Sequence, residues 1–451
     1  MAAALRAALL WVPLAAAAQG LAAPAVRLQE DPFRRLQRVE AGAMASSWSS
    51  LPDTAGCADA DRRIDGHAQL QASDPDVART VRTGSFDLID PRLRAQADAT
   101  LQWGCAFGQA AVQYQLGNRD GDAFWSADGS ALAWQIGAHW RLAGGLIAHH
   151  WGPAWDGSLI LGTRARPFPN LLLEADSGPL QDSRFWFWLG RVQFSSFLGV
   201  LNGDRGDIRD PRLIGMRLVV QPWPQLQIGA SRTMQIGGEG RDNSLRAFLR
   251  AFLGRDNDCS ASNCSDQPGN QLGGFDLRWD LSWALPGVSL YGQLIGEDEA
   301  ASLPSKYMYQ AGADWRGPLG VLFAEWADTK AGAYGVAYNH FIYTDGYRHR
   351  GQPIGHWTDG DAQVATIGGL ASSLFGGQGL AVVRFGKLNN AQANPTWPKS
   401  DLWSGSLQWR TELGRQVRLS VALDHLRLSA QPPGASRSDT RLQLQIEGWL
   451  P

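Results

Sequence analysis

The chain predicts an all-β fold, a transmembrane antiparallel β-barrel of about 18 strands behind a short N-terminal periplasmic region. Two observations carry that expectation: apolar and polar side chains alternate over much of the length, and no apolar run is long enough to cross a bilayer as a helix. The clearest segment is Phe275 to Trp283, where Phe275, Leu277, Trp279, Leu281 and Trp283 alternate with Asp276, Arg278, Asp280 and Ser282. A period of two places the large apolar groups on one face and the charges on the other, as in a strand that divides lipid from a wet interior. Taken alone, the segment equally describes a half-buried strand of a soluble sandwich. The pattern recurs at Leu132, Trp134, Ile136, Ala138, Trp140 and Leu142, then at Trp403, Gly405, Leu407 and Trp409. It returns at Val417, Leu419, Val421 and Leu423, and at Leu442, Leu444 and Ile446. That repetition favours the barrel.

Composition agrees. The 451 residues include 52 Gly and 20 Trp and carry a net charge of -2, which offers no basic surface for nucleic acid. Arg6 precedes an apolar run from Ala7 to Ala18, with small residues at Ala16 and Ala18, so residues 1–18 read as a cleavable secretory signal and the mature chain as starting near Gln19. Beyond it nothing reaches the roughly 18 unbroken apolar residues of a membrane helix. A membrane protein without such helices must close its sheet, because every lipid-facing backbone amide has to be paired.

Turns set the strand count and orientation. Short connections are expected near Phe107–Gln109, Ala143–Gly145, Gly190–Val192, Pro222–Gln225, Leu285–Gly287, Arg316–Leu319, Phe375–Gln378 and Thr411–Arg415. Long ones alternate with them, including Trp151–Gln181, Gly237–Gln271, Glu297–Pro304 and Thr329–Asp361. Short turns belong in the periplasm and long loops outside, and both termini then require an even number of strands. Thr80–Ile89 is the candidate that completes the set, so the barrel is read as residues 80–451 and the periplasmic region as 19–79. Within that region Phe33, Leu36 and Val39 suggest a short amphipathic helix. Leu245, Phe248, Leu249, Phe252 and Leu253 predict another, capped by Asn243 or Ser244, ended by Gly254, and placed to lid or line the outer mouth.

Several blocks in the outer loops resemble the Wzi-type capsule assembly protein family of Gram-negative outer membranes. They include W-G-P-A-W-D-G-S-L-I-L (Trp151–Leu161), A-R-P-F-P (Ala165–Pro169), S-R-T-M-Q-I-G-G-E-G-R (Ser231–Arg241) and Y-N-H-F-I-Y-T-D-G-Y-R-H-R-G-Q-P-I-G-H (Tyr338–His356). The resemblance runs from about Leu132 to Asp361. It implies an 18-stranded barrel with periplasmic helices that acts as a lectin holding capsular polysaccharide at the cell surface. Two departures stand out: the stretch Ala25–Arg79 matches poorly, and Ala154 stands where Gly is expected.

Residue chemistry at the long-loop end suits a glycan. Trp151, Trp155, Tyr338, Tyr343 and Tyr347 offer flat faces to sugar C–H groups, and Asp156 and Asp345 accept hydroxyl hydrogen bonds. Arg164, Arg166, Arg241, Arg348 and Arg350 can pair with uronate carboxylates. The competing reading is loop architecture, with Gly152, Pro153 and Gly157 as turn makers and Arg–Asp pairs tying the loops together. Asp276, Arg278 and Asp280 read as a salt-bridged inner wall. Cys259 and Cys264 are spaced for a small disulfide loop in an oxidising compartment, and Cys57 and Cys105 form a second candidate pair. No nucleophile elbow is present, and the adjacent His149 and His150 point to opposite faces of a strand, so no catalytic, metal or cofactor site is expected. The partners expected are capsular or extracellular polysaccharide and outer-membrane lipid, not nucleic acid, with the chain monomeric. A sugar-permeable channel is the alternative function for the same scaffold.

Overall fold

The alternation resolves into a closed antiparallel barrel of 18 strands. The computed structural model describes residues 47–49, 51, 63–73, 93–116, 123–201, 205–252, 269–300, 303–332, 335, 337–393, 398–430 and 437–450. In chain order the wall begins with β1 (Arg63–Ser73), β2 (Leu93–Trp103), β3 (Ala106–Leu116), β4 (Ala123–Ser126 with Ala131–Ile136), β5 (Trp140–Leu146) and β6 (Pro169–Pro179). It continues through β7 (Arg191–Val200), β8 (Arg212–Trp223), β9 (Leu226–Ile236), β10 (Gly269–Asp280), β11 (Val288–Ala300) and β12 (Leu303–Gly317). The last strands are β13 (Gly320–Asp328), β14 (Ala362–Leu374), β15 (Gly377–Leu388), β16 (Ser400–Glu412), β17 (Val417–Leu428) and β18 (Ser438–Leu450). Neighbours in sequence pair antiparallel, and β1 against β18 shuts the ring. Closure removes the unpaired sheet edge that lipid would not tolerate.

Register follows the polar pattern. On β10, Phe275 is 64 % exposed and faces outward, while Asp276 and Arg278 are buried on the lumen side. Asp276 pairs with Arg217 of β8 at 2.5 Å, Arg278 with Asp314 of β12 at 2.7 Å, and Asp280 with Arg316 at 2.8 Å. The inner wall is therefore salt-bridged, as expected.

Boundaries differ from expectation in four places. The barrel opens at Arg63, inside the stretch assigned to the periplasm; the outward face of β1 carries Ala68, Leu70 and Ala72, too little apolar bulk to announce a strand. Thr80–Ile89 lies outside the described residues. Leu132–Leu142 is not one strand but a hairpin, β4 and β5, turning at Gly137–His139 with Gly137 at φ 62. Trp134 and Leu142 are cross-strand partners that both face lipid, so alternation passes through the turn unbroken. The turns expected at Ala143–Gly145 and Phe107–Gln109 consequently fall within strands. At the end of β10, the Ser282 N–H donates to Asp280 Oδ1 at 2.8 Å, an Asx turn that stops the strand before Leu281 and Trp283. Finally, β11 and β12 extend to Ala300 and Leu303, and the long connection expected there is short.

Two further segments are relocated. Ser47–Ser49 pairs with His149–Trp151, and Leu51 is buried beside Trp151, so part of the presumed periplasmic region lies inside the barrel. The helix α1 (Leu245–Phe252) forms as expected, with Ser244 Oγ accepting the Ala247 N–H and Arg232 donating to the carbonyls of Ala251 and Phe252. It neither lids nor lines the mouth: it packs on the outer wall, against Ile214 and Met216 of β8 and Met234 and Ile236 of β9. Residues 1–18, Phe33–Val39, Gly254, Cys57, Cys259 and Cys264 lie outside the described residues. Cys105 is in a disulfide whose partner also lies outside them.

Candidate functional site

The connection 147–168 between β5 and β6 turns into the barrel instead of projecting from it. Gly152, at φ 149, and Pro153 reverse the chain, and Trp151 is 1 % exposed, tilted against Phe197 of β7 at 5.4 Å. Gly215 of β8 makes this possible, because a Cβ there would overlap both rings. Trp155 stacks on Phe323 of β13 at 5.8 Å and donates its indole N–H to Asp314 at 2.9 Å. Glu325 of β13 accepts the backbone N–H groups of Trp155 and Asp156. Asp156 receives Arg384 of β15 at 2.6 Å, Thr366 Oγ1 of β14 at 2.7 Å and the Trp357 indole at 3.2 Å.

The connection 329–361 packs on this loop from the outer side. Tyr338, Tyr343 and Tyr347 are all 0 % exposed. Their hydroxyls donate to backbone carbonyls: Tyr338 to Leu159 at 2.6 Å, Tyr347 to Ile160 at 3.0 Å and Tyr343 to Gly237 at 3.0 Å. Burial raises the pKa of each phenol, so each remains a donor. In this arrangement neither these three rings nor those of Trp151 and Trp155 present a stacking face at the surface; they join the two loops and the wall into one plug. Arg164, buried, donates to Gln352 at 2.7 Å, and Arg241 hydrogen-bonds the Tyr343 side chain.

The remaining candidates meet at the rim. Arg166, Asp345, Arg348 and Arg350 line an outer cleft of about 980 Å³, joined by Phe124, Trp125, Asp128, Arg205 and Asp210, which sequence reasoning missed. Arg166 donates to Asp128 at 2.6 Å and lies over the Phe124 ring at 5.0 Å. Arg205 grips Asp207 and donates to the carbonyls of Gly346 and Arg348, while Asp345 accepts the Gly206 N–H at 2.7 Å. Arg348 meets Asp359 through two bonds of 2.8 and 3.0 Å. Arg350 is exposed at φ 51, whereas Trp125, 70 % exposed, is the cross-strand partner of Tyr114 and lies against its ring at 4.8 Å on the outward face of the wall. Burial, and then the charges of Arg350, Arg166 and Arg205, lower His349 to about 3. Four arginines and three aspartates line the cleft, and Arg166, Arg205 and Arg348 are each held by a carboxylate, so Arg350 is the exposed cation there; such a mixed polar cleft can meet the hydroxyls and carboxylates of a glycan. Arg205, in G-D-R-G-D, carried no signal beyond a loop composition. Arg384 was legible as a lumen-facing residue, but its partner lies 228 positions away in sequence.

Residues 90–433, well over half of the chain, match the family described as Capsule assembly protein Wzi. A Klebsiella pneumoniae relative, described as an uncharacterized 55.8 kDa protein in the cps region, is 32 % identical over 309 residues, 66 % of this chain. The match spans 60 % of that relative's length. The chain also superimposes on the Escherichia coli outer-membrane protein Wzi with a TM-score of 0.71 and 25 % identity, covering 85 % of this chain and 83 % of that one. That structure is described as a carbohydrate-binding β-barrel involved in group 1 capsule assembly. This outer-membrane barrel belongs to the Wzi capsule assembly protein family.

Proposed function

We propose that this chain is a non-enzymatic, lectin-like protein that attaches capsular or exopolysaccharide to the cell surface. The observation that carries the reading is the polar rim cleft, with Arg166, Arg348 and the exposed Arg350 beside Asp345. The description of the Escherichia coli relative as a carbohydrate-binding barrel in capsule assembly supports it. Arg350 and Arg348 take the polymer's carboxylates or hydroxyls, and Arg166 and Arg205, held by Asp128 and Asp207, fix the cleft's floor. Asp345 accepts hydroxyls. Trp151, Trp155, Asp156, Arg164, Arg241, Tyr338, Tyr343 and Tyr347 shape the cleft from beneath. The chain acts as a monomer set in outer-membrane lipid and requires no cofactor. Modest affinity at each site suffices, since one long polymer meets many copies and avidity multiplies the hold. A sugar-permeable channel is less well supported, because the two inner loops pack with near-zero exposure across the lumen between β8 and β15.

The test is binding of the detergent-purified barrel to the host's own polysaccharide, alongside deletion of the gene. Deletion should leave total polymer unchanged and move it from cells to supernatant. Loss of total polymer, or a parent protein that binds none, overturns the reading.

A further inference from the structure

The eight-residue helix α1 has three chemically distinct faces, and each meets a different surrounding. Ala247 and Ala251 are 6 % and 0 % exposed and, with Phe248, pack on Ile214, Met216, Met234 and Ile236. These are outward-facing positions of β8 and β9: on the same alternation, Leu218 and Phe275 below them are 44 % and 64 % exposed to lipid. The helix thus occupies the top of the lipid-facing wall, at the long-loop end. Leu245, Leu249 and Phe252, spaced i, i+4 and i+7, form a second stripe that is 71 %, 46 % and 42 % exposed. Three large apolar groups on a short helix are unfavourable in water and continuous with the apolar wall beneath. The third face carries Arg246 and Arg250, both exposed; among the described residues the carboxylate that feels both charges is the exposed Asp242 just before the helix, which makes no salt bridge within 4 Å with either. Lipid-facing apolar groups beside outward cations match the amphipathic boundary between acyl chains and headgroups.

We infer that α1 is an in-plane membrane helix that binds the phosphorylated headgroups of outer-leaflet glycolipids through Arg246 and Arg250. Leu245, Leu249 and Phe252 enter the acyl region, and the two guanidinium groups sit above them at phosphate level, where arginine meets phosphate oxygens in a bidentate fork. The wall of β8 and β9 supplies the rigid backing, so the helix samples the leaflet without leaving the barrel. The inference uses the outer-membrane location and is independent of the glycan reading.

The first measurement is labelling of Leu249→Cys and Arg246→Cys, in the full chain, with a membrane-impermeant maleimide on native outer-membrane vesicles. Arg246→Cys should react and Leu249→Cys should be protected; in detergent-free extracts where lipid is replaced by short amphiphiles, the protection should weaken. Equal reactivity in vesicles overturns the membrane placement. The second is native mass spectrometry of the purified barrel with lipid A, its dephosphorylated form and phosphatidylethanolamine. At roughly fivefold per surface cation, the double variant Arg246→Ala/Arg250→Ala should lose about thirtyfold in affinity for lipid A. Phosphatidylethanolamine binding should be unchanged, and inorganic phosphate should not compete. Undiminished lipid A binding by the double variant, or equal binding of the dephosphorylated form by the parent, overturns the headgroup assignment, whereas effective competition by inorganic phosphate would reassign the arginines to a free-anion site. Heat-modifiable gel migration reports that each variant is folded.

Discussion

Replacing Arg384 with alanine should release the inner loop while leaving the barrel closed. Arg384 holds Asp156 through Nε at 2.8 Å and Nη2 at 2.6 Å, and the two side chains are only 6 % and 5 % exposed. Without the guanidinium, Asp156 keeps two neutral donors, Thr366 and the Trp357 indole, against the desolvation of a full charge. Breaking one half of a buried pair typically costs about 3–5 kcal/mol, so the opening equilibrium of loop 147–168 should rise by roughly two to three and a half orders of magnitude. Protease cleavage within the loop reads that equilibrium directly, and steady conductance in a planar bilayer reads the lumen it uncovers. Heat-modifiable migration should be unaffected, because the wall is held by its strand ladder. The double variant Arg384→Gln/Asp156→Asn removes both charges and should recover most of the protection. Parental cleavage and conductance in Arg384→Ala would refute the idea that this pair secures the plug.

At the cleft, Arg350→Ala should fold normally and lower polysaccharide affinity about 10- to 150-fold, the range for a charge-assisted hydrogen bond, as titrated with the host polymer. Tyr347→Phe should leave affinity largely intact but strand the Ile160 carbonyl, raising loop cleavage by an amount equivalent to about 1–2 kcal/mol. Acid should loosen the plug: burial lowers His356 from 6.5 to about 4, so the released loop binds a proton below pH 6.5 that the packed loop refuses until about pH 4. His356 contributes a loss of about 3 kcal/mol as pH drops through that window, and His349 in the same loop, lowered to about 3, adds a loss of the same sign that continues to lower pH; His356→Asn should make the pH profile of cleavage shallower, and His356→Asn/His349→Asn should flatten it. In the wall, Leu277→Cys should be shielded by lipid from an impermeant thiol reagent while Asp280→Cys reacts through the lumen, and the reverse would place the register one residue out.

Alternation determined the class of fold and the facing of most residues, because a bilayer imposes the same period-two demand on every crossing and writes it locally, whereas the count of 18 was reached with a different partition, Leu132–Leu142 as one strand and Thr80–Ile89 as another. Phe275, Trp279 and Asp276 were assigned to lipid or lumen from neighbours alone. Where the local demand weakens, so does the sequence signal: β1 offers the lipid mainly alanine, and the Gly137–His139 turn preserves the alternation on either side of it. Residue chemistry likewise marked the outer loops as the place where arginine, aspartate and aromatic rings gather. Their division of labour was decided by tertiary structure. Tyr338 and Tyr347 have the composition of a sugar-stacking surface, yet loop 147–168 enters the lumen and presents them with carbonyls to bind, which buries them. Alternation marks Arg384 as lumen-facing, but nothing local says that it secures a plug, and nothing local says which side of the wall α1 will cover. The plug depends on contacts between segments more than a hundred residues apart, such as Asp156 with Arg384 and Trp155 with Asp314, which only chain closure brings within reach, and α1 is placed by the packing of β8 and β9 beside it.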